Sequence, residues 1–545
     1  MHQLAVLDWV VIGLYFAAIF AVAWWVAGRR TATHESSAGY FLAGRNVGWF
    51  VVGTALFASN IGSEHLVGLA GTGYDSGVAV GQFEVLASLI LLVLGWIFVP
   101  FYLKSGVYTM PEFLERRYSP AARWYLAVIS ILGYVLTKIS VTLYAGGIVY
   151  VVLLGGNFWT GALIVVVATG IYTVLGGLRA VLYTEMVQTL VLIGGSILVT
   201  VVGLAELGGL GALRAATDAS FFDMWQPMSH PSFPWTGILL GAPILGIWYW
   251  CTDQFIVQRV LSANGIDDAR RGTIFGGFLK LLPLFIFVIP GVVAAALVNT
   301  GQLELARADH ALPEMIRVLL PVGVRGLVMA GFLAALMSSL AAVFNSCSTL
   351  ITWDVYRKLR PEASERRLVL VGKASTIFLV GLGLAWIPFM KHISGQLYVY
   401  LQSVQAYISP PIAAVFLIGV FWKRVNRHGA IASLAVGFVL GAARLGLELV
   451  KGSTSGALYW YADINFLHFA ALLFVVCSAV LVAISLMTPA ESEESLAGLT
   501  FATSDQAVDP HDERLASKPV RVRTDLMLSV VLVLCVVLVW LVFRG

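Results

Sequence analysis

Apolar runs long enough to cross a membrane recur along the whole 545-residue chain, and that recurrence decides what it can fold into. A transmembrane helix needs about 20 mainly apolar residues. Such runs lie near 8–28, 49–74, 78–103, 123–154, 157–175, 181–204, 236–257, 273–298, 319–354, 367–388, 394–421, 428–449, 464–486 and 525–543, about fourteen in all. In lipid every backbone N–H and C=O must be satisfied internally, so runs of this length are helices. The predicted class is an all-α integral membrane protein. Composition agrees: 12% of the residues are charged, about half the share of an ordinary soluble domain.

Several function classes drop out. The net charge of +4 is small and spread along the chain, which argues against nucleic acid. The four cysteines, Cys251, Cys347, Cys477 and Cys535, sit in apolar stretches without metal-ligand spacing or a disulfide framework. The nine histidines are scattered, with no HExxH-type pair and no nucleophile–base arrangement. No enzyme, no catalytic residue and no cofactor is expected. The first apolar run is too long for a signal peptide and lacks a basic flank, so it reads as a retained helix. Lys and Arg fall on alternate sides of the spans with a bias of about three to one, which places both termini outside the cytoplasm. The long polar loops are 205–235, 299–318 and 487–524. The last begins with ESEE (491–494), ends basic, and reads as a flexible cytoplasmic tether.

Polar groups inside the spans carry the functional signal. Residues 57–74 read FASNIGSEHLVGLAGTGY. Asn60, Ser63, Glu64 and His65 stand where a membrane helix is normally greasiest. Ionisable groups there face the protein interior or a water-filled cavity. Glu64 reads as a structural group capping backbone N–H groups freed at a break. Further polar groups are Glu84 in GQFEV (81–85), Lys280 in GGFLKLLPLF (276–285), and Gln402, Ser403 and Gln405 in YLQSVQAYISPP (400–411). Pro410 and Pro411 are expected to disturb that last helix. Glu84 and Lys280 could form a pair that only fixes packing. They could instead join His65 and Gln402 around a polyhydroxylated solute, whose hydroxyls both donate and accept. Phe83, Tyr249, Trp250 and Tyr400 are the aromatics placed to cover a sugar ring.

Ser338 and Ser339 are adjacent in AALMSSLAAVFNSCSTL (334–350). Such hydroxyls often bond back to the carbonyl four residues earlier. Alternatively they hold a hard cation, together with carbonyls freed where the 49–74 span breaks. Gly241, Pro243 and Gly246 interrupt the 236–257 span five helices after that break. Two interrupted spans in corresponding positions suggest an inverted-repeat transporter with a midplane site.

ASNIGSEHLVGLAGTGY (58–74), WYWCTDQFIVQRVL (248–261), SSLAAVFNSCSTLITWDVY (338–356) and PPIAAVFLIGVFWKRVN (410–426) resemble the sodium/glucose cotransporters of the sodium–solute symporter family. The resemblance implies a LeuT-type five-plus-five inverted repeat with one helix before it and further helices after. The implied division is 1–48 for an extra helix and cytoplasmic loop, 49–204 for the first repeat and 205–235 for an extracellular loop. The second repeat is 236–421, followed by two helices (422–486), the cytoplasmic loop 487–524 and a final helix (525–545).

Site residues follow from the same resemblance. His65, Glu84, Lys280 and Gln402 match positions that bind sugar hydroxyls. Tyr249 matches the stacking inner gate, with Trp250 beside it, and Leu69 and Phe83 match the outer gate. Ala58, Ile61 and Ala335 through carbonyls, with Ser338 and Ser339 through hydroxyls, match the shared Na⁺ site. Gly246 stands where some bacterial members have a sugar-binding Asn, and His65 where they have Gln. A second Na⁺ site in some members needs hydroxyls where this chain has Ala341 and Ala342, and an Asp where it has Glu185. The implied function is alternating-access import of a hexose, glucose or galactose, with one Na⁺ as the co-transported ion, across the plasma (inner) membrane. Myo-inositol or another polyol is the alternative solute, and a sodium-responsive sensor the more distant one. The implied partners are Na⁺, the hexose and the lipid bilayer, with a homodimer left open.

Overall fold

The structure, a computed structural model, describes residues 4–28, 46–390, 396–507 and 519–544. Arg29, Arg30, Arg45, Lys391, Arg514 and Lys518, which enter the orientation count, lie outside the described residues, as does part of the 487–524 loop. Every regular element described is helical. Those that build the bundle and its site are, in chain order, α1 (Val6–Gly28), α2 (Trp49–Asn60), α3 (64–76), α4 (82–105), α5 (120–154), α6 (Phe158–Leu207), α7 (235–252) and α8 (Gln254–Leu261). There follow α9 (Ile266–Asn299), α10 (Val324–Leu359), α11 (Glu365–Met390), α12 (Leu397–Phe421), α13 (Arg427–Leu449), α14 (Phe466–Met487) and α15 (Pro519–Val542). Among the described residues ten helices are long and apolar enough to cross a membrane, and Val6–Val22, Trp49–Asn60 and Phe158–Gly170 are shorter apolar ones. The chain is a multi-pass membrane protein.

Burial separates a core from a shell. The most apolar window of α10 is 89% buried and those of α9 and α12 are 78% buried, against 28% for α15. The outer helices turn Phe438, Val475, Leu534 and Leu538 outward, as lipid contact requires. At one end, basic residues from several segments meet. Arg123 and Lys358 pair with Glu115 at 2.5 and 2.8 Å. Arg117 donates to the Val425 carbonyl at 2.9 Å, and Arg424 to that of Thr488 at 2.9 Å.

Three expectations change. The spans near 157–175 and 181–204 are one helix, α6, of 50 residues. It contains no proline, so nothing in its backbone chemistry forces the hydrogen-bond ladder to stop. Its apolar stretches, Phe158–Gly170 and Gln188–Leu207, correspond to the two expected spans. Pro410 and Pro411 do not interrupt α12, which is continuous from Leu397 to Phe421. Pro411 leaves the Tyr407 carbonyl without its helical donor, and Gly441 of α13 packs directly against that oxygen, in space a Cβ would fill. Neighbouring helices commonly accommodate a membrane proline this way. The loop after α14 is not loose in its described part. Leu496, Leu499, Thr500 and Thr503 are buried, and Thr503 Oγ1 donates to the Leu496 carbonyl at 2.5 Å.

The 49–74 span is broken where the sequence suggests, whereas the 236–257 span keeps helical backbone through Gly241 and breaks at Asp253 instead, and the break in α9 was not anticipated. Between α2 and α3, Ile61 is extended (φ −75°, ψ 99°). Between α7 and α8, Asp253 is extended in nearly the same way (φ −79°, ψ 128°) and caps α8 by accepting from Phe255 N at 3.1 Å. α9 is interrupted at Lys280, three residues before Pro283. Glycines let α3 approach its neighbours: a Cβ at Gly68 would lie 3.1 Å from Tyr398 N, and one at Gly73 2.6 Å from the Val288 carbonyl.

Candidate functional site

The interruptions converge on one cavity. His65 comes from α3, Glu84 from α4, Tyr249 and Trp250 from α7, Lys280 from the break in α9, and Gln402 from α12; all line it. Asn60, Glu64, Phe83, Lys138, Gly246, Tyr398 and Gln405 complete most of the wall.

One hydrogen-bonded chain runs across this wall. Lys280 Nζ pairs with Glu84 Oε2 and donates to Asn60 Oδ1 at 2.5 Å. Asn60 Nδ2 donates to Tyr249 Oη at 2.9 Å. Lys138 Nζ donates to the same hydroxyl at 3.1 Å and pairs with Glu64 Oε1. Two ammoniums thus face two carboxylates, which balances charge in a place where an unpaired ion would be expensive. His65 Nε2 donates to Glu84 Oε1 at 3.2 Å. In that tautomer Nδ1 is an acceptor, and it has no hydrogen-bond partner among the described residues. Gln402 Nε2 donates to Tyr398 Oη at 2.8 Å. The Lys280 ammonium also lies 5.5 Å from the Trp250 ring centroid. Phe83 packs edge-on against Tyr398 and Phe233, at 5.8 and 6.1 Å between centroids.

A second polar spot lies beside the α2–α3 break. A Cβ on Gly62 would fall 2.5 Å from Ser339 Oγ, so α10 presses its serines directly against the break. Ser338 and Ser339 are buried, and neither hydroxyl has a hydrogen-bond partner among the described residues. Back-bonding therefore does not account for them, although Ser346 and Thr349 on the same helix bond to the Ala342 and Asn345 carbonyls at 3.0 and 2.8 Å. Facing them is the last turn of α2. Phe57 O accepts from Ile61 N at 2.8 Å, and the carbonyls beyond it have lost the helical donors that a continuous helix would supply. Free hydroxyls beside freed carbonyls are the donor set of a hard monovalent cation.

Residues 40–437 match the sodium:solute symporter family. The chain belongs to that family. It is similar to sodium/glucose cotransporter 1 of Oryctolagus cuniculus, at 39% identity over 88% of this chain and 78% of that protein. It is similar to the sodium/mannose cotransporter of Bos taurus (39%; 92% and 90%) and the sodium/myo-inositol cotransporter of Mus musculus (38%; 91% and 75%). Its fold matches the substrate-bound outward-open structure of a Na⁺-coupled sialic acid symporter, with a TM-score of 0.77 at 21% identity over 90% of this chain and 99% of that one. This places the symporter in the LeuT-type class. It is a sodium-coupled solute transporter and not an enzyme, and Na⁺ is its co-transported ion.

In this symporter Leu69, expected at the outer gate, is fully buried outside the cavity wall, whereas Phe83 is part of it. Tyr400 turns away: its hydroxyl donates to the Leu136 carbonyl at 2.5 Å and accepts from Trp386 Nε1 at 2.9 Å. Tyr398 takes the place expected for it. Tyr398 stands four residues before Gln402, hence on the same helical face, and that spacing could have identified it. Glu64 does more than cap backbone: its carboxylate pairs with Lys138 and accepts from Ser63 Oγ at 3.3 Å. Lys138 was not anticipated, and its only sequence signal is a lone ammonium deep in the apolar run 123–154. The Glu185 side chain lies outside the described residues. Ala341 and Ala342 are buried and bring no hydroxyl.

Proposed function

We propose that this symporter imports a neutral hexose, with glucose and galactose the first candidates, together with one Na⁺. The observation that carries this reading is the charge-balanced chain Glu84–Lys280–Asn60–Tyr249–Lys138–Glu64 around the cavity. Its donors and acceptors can serve hydroxyls without demanding a charged substrate. In this reading His65, Glu84, Lys280 and Gln402 bind hydroxyls. Tyr249 and Trp250 cover the ring, with Tyr249 as inner gate, and Phe83 closes the outer side. Leu69 buttresses that side from behind. Ala58, Ile61 and Ala335 offer carbonyls to Na⁺, and Ser338 and Ser339 offer hydroxyls.

The two sites share the α2–α3 break. Na⁺ bound at Ser338 and Ser339 holds the break in the shape that places Asn60 and His65 in the sugar cavity, so each ligand raises the affinity of the other. Release of Na⁺ to the cytoplasm relaxes the break, Tyr249 moves, and the sugar follows. One charge moving through 100 mV yields ~2.3 kcal/mol, and a tenfold Na⁺ gradient adds ~1.4 kcal/mol. Accumulation of about several hundredfold is then within reach at one-to-one coupling.

The test is uptake of labelled glucose, galactose and myo-inositol into proteoliposomes under an inward Na⁺ gradient, against an equal K⁺ gradient. Na⁺-dependent accumulation of a hexose above equilibrium is expected. Accumulation of myo-inositol alone would transfer the reading to the polyol, and Na⁺-independent equilibration would reject coupling. Charge moved per sugar is expected to be close to one. A value near two would mean that a second ion site exists despite Ala341 and Ala342. The same reading places the protein in the plasma (inner) membrane with both termini outside the cytoplasm.

A further inference from the structure

The last helix, α15, lies outside both repeats, yet its polar contacts go to the two helices that hold the Glu84–Lys280 pair. Near one end, Asp525 is buried and accepts from Arg271 Nε of α9 at 2.9 Å. One turn on, Ser529 Oγ accepts from Trp96 Nε1 of α4 at 3.0 Å. Near the other end, Trp540 Nε1 donates to Gln82 Oε1 of α4 at 2.8 Å. Gln82 is two residues before Glu84. Beyond it, the Phe543 carbonyl accepts from Met224 N at 2.9 Å.

The middle of the helix makes the closest approach. Ser88 Oγ of α4 donates to the Gly277 carbonyl of α9 at 2.9 Å. Ser88 is one turn from Glu84 on the same helical face, and Gly277 is three residues from Lys280. This bond therefore sets the spacing of α4 and α9 beside the ion pair. Leu532 of α15 is fully buried against it: a Cβ on Gly277 would lie 2.6 Å from Leu532 Cδ2. A helix needing only to stay in lipid would have no use for an indole N–H, a hydroxyl and a carboxylate all turned inward, since lipid solvates its apolar side chains as well as protein does.

We infer that α15 is a positioning element of the sugar site. Leu532 and Trp540 hold α4 against α9 so that Glu84 and Lys280 keep the separation that a sugar hydroxyl requires. The inference rests on the sugar reading of that pair. It predicts a division of effects, because α15 touches the sugar-side helices α4 and α9, while the proposed ion site lies between α2 and α10.

The experiment measures binding and transport of labelled glucose, with labelled myo-inositol in parallel, by purified Trp540→Phe and Leu532→Ala variants. Apparent sugar affinity is expected to fall about three- to tenfold. The Na⁺ concentration for half-maximal activation at saturating sugar is expected to stay within about twofold. Gln82→Met added to Trp540→Phe is expected to cause a smaller loss than it does alone, because the indole bond is already gone and only the long Gln82 Nε2 bond to the Met224 carbonyl, at 3.4 Å, is left to lose. Leu532→Met, which keeps the volume, is expected to restore affinity. Unchanged sugar affinity in both single variants would overturn the inference. So would sugar and Na⁺ dependence falling together, the mark of a merely structural helix. Absence of Na⁺-dependent binding of either solute by the parent would overturn the sugar reading itself, and this inference with it.

Discussion

Glu84→Ala is expected to reduce Na⁺-driven sugar uptake at least about 100-fold, and Lys280→Ala to do the same. Removing one partner of a buried ion pair leaves the other uncompensated, at a cost of about 3–5 kcal/mol. Here the stranded group also loses its place in the chain. Without Glu84, the Lys280 ammonium keeps, among the described residues, Asn60, the Trp250 ring and the His65 ring, whose Nε2 is 3.4 Å away. Without Lys280, Glu84 keeps His65 alone. Part of each loss is therefore a folding loss, and a single variant cannot distinguish a packing pair from a binding pair. The double variant Glu84→Gln/Lys280→Met separates them. It leaves no stranded charge and nearly the same volume, so thermal stability is expected to return close to that of the parent. Uptake is expected to stay at least about 100-fold down, because two hydroxyl-binding groups are gone. Uptake recovering along with stability would show that the pair serves packing alone.

How much of this arrangement the sequence discloses depends on the reach of each signal. Apolar run length is a local property, so the spans could be read directly. The break at 60–63 was legible too, because polar residues and a glycine stand inside a run that has no other use for them; the break at Lys280 went unread, and the one expected at Gly241–Gly246 lies at Asp253. Pairings across the bundle were harder. Glu64 meets Lys138 across 74 residues, and no local pattern relates them. Glu64 was read as a cap because its partner could not be seen. Tyr398 was passed over for Tyr400 although the helical phase favours it. The continuous helix α6 shows the opposite limit: two spans are needed to return the chain across the membrane, but without proline no residue marks where the first one stops. The resemblance to sodium/glucose cotransporters supplied long-range pairing that periodicity could not.

Ser339→Ala is expected to raise the Na⁺ concentration for half-maximal transport about tenfold or more, the loss for one hydrogen-bonding group facing a charge. Ser338→Ala is expected to act in the same direction. The argument rests on a contrast within α10. Ser338 and Ser339 hold hydroxyls without partners among the described residues, in a fully buried place where such groups are normally satisfied. Ser346, two turns further along, spends its hydroxyl on the Ala342 carbonyl. Ser346→Ala is therefore the internal control, and its Na⁺ dependence is expected to match that of the parent. Sugar affinity gives a second readout. At low Na⁺ it is expected to fall in Ser339→Ala, because the sites are coupled through the α2–α3 break. At saturating Na⁺ it is expected to return to within about twofold of the parent, because the sugar groups are intact. Flux and binding measured across a Na⁺ titration check both statements. A Ser339→Ala variant with the parent's Na⁺ dependence would place the ion elsewhere. A sugar affinity that stays low at every Na⁺ concentration would mean that Ser339 supports the break mechanically and not through the ion.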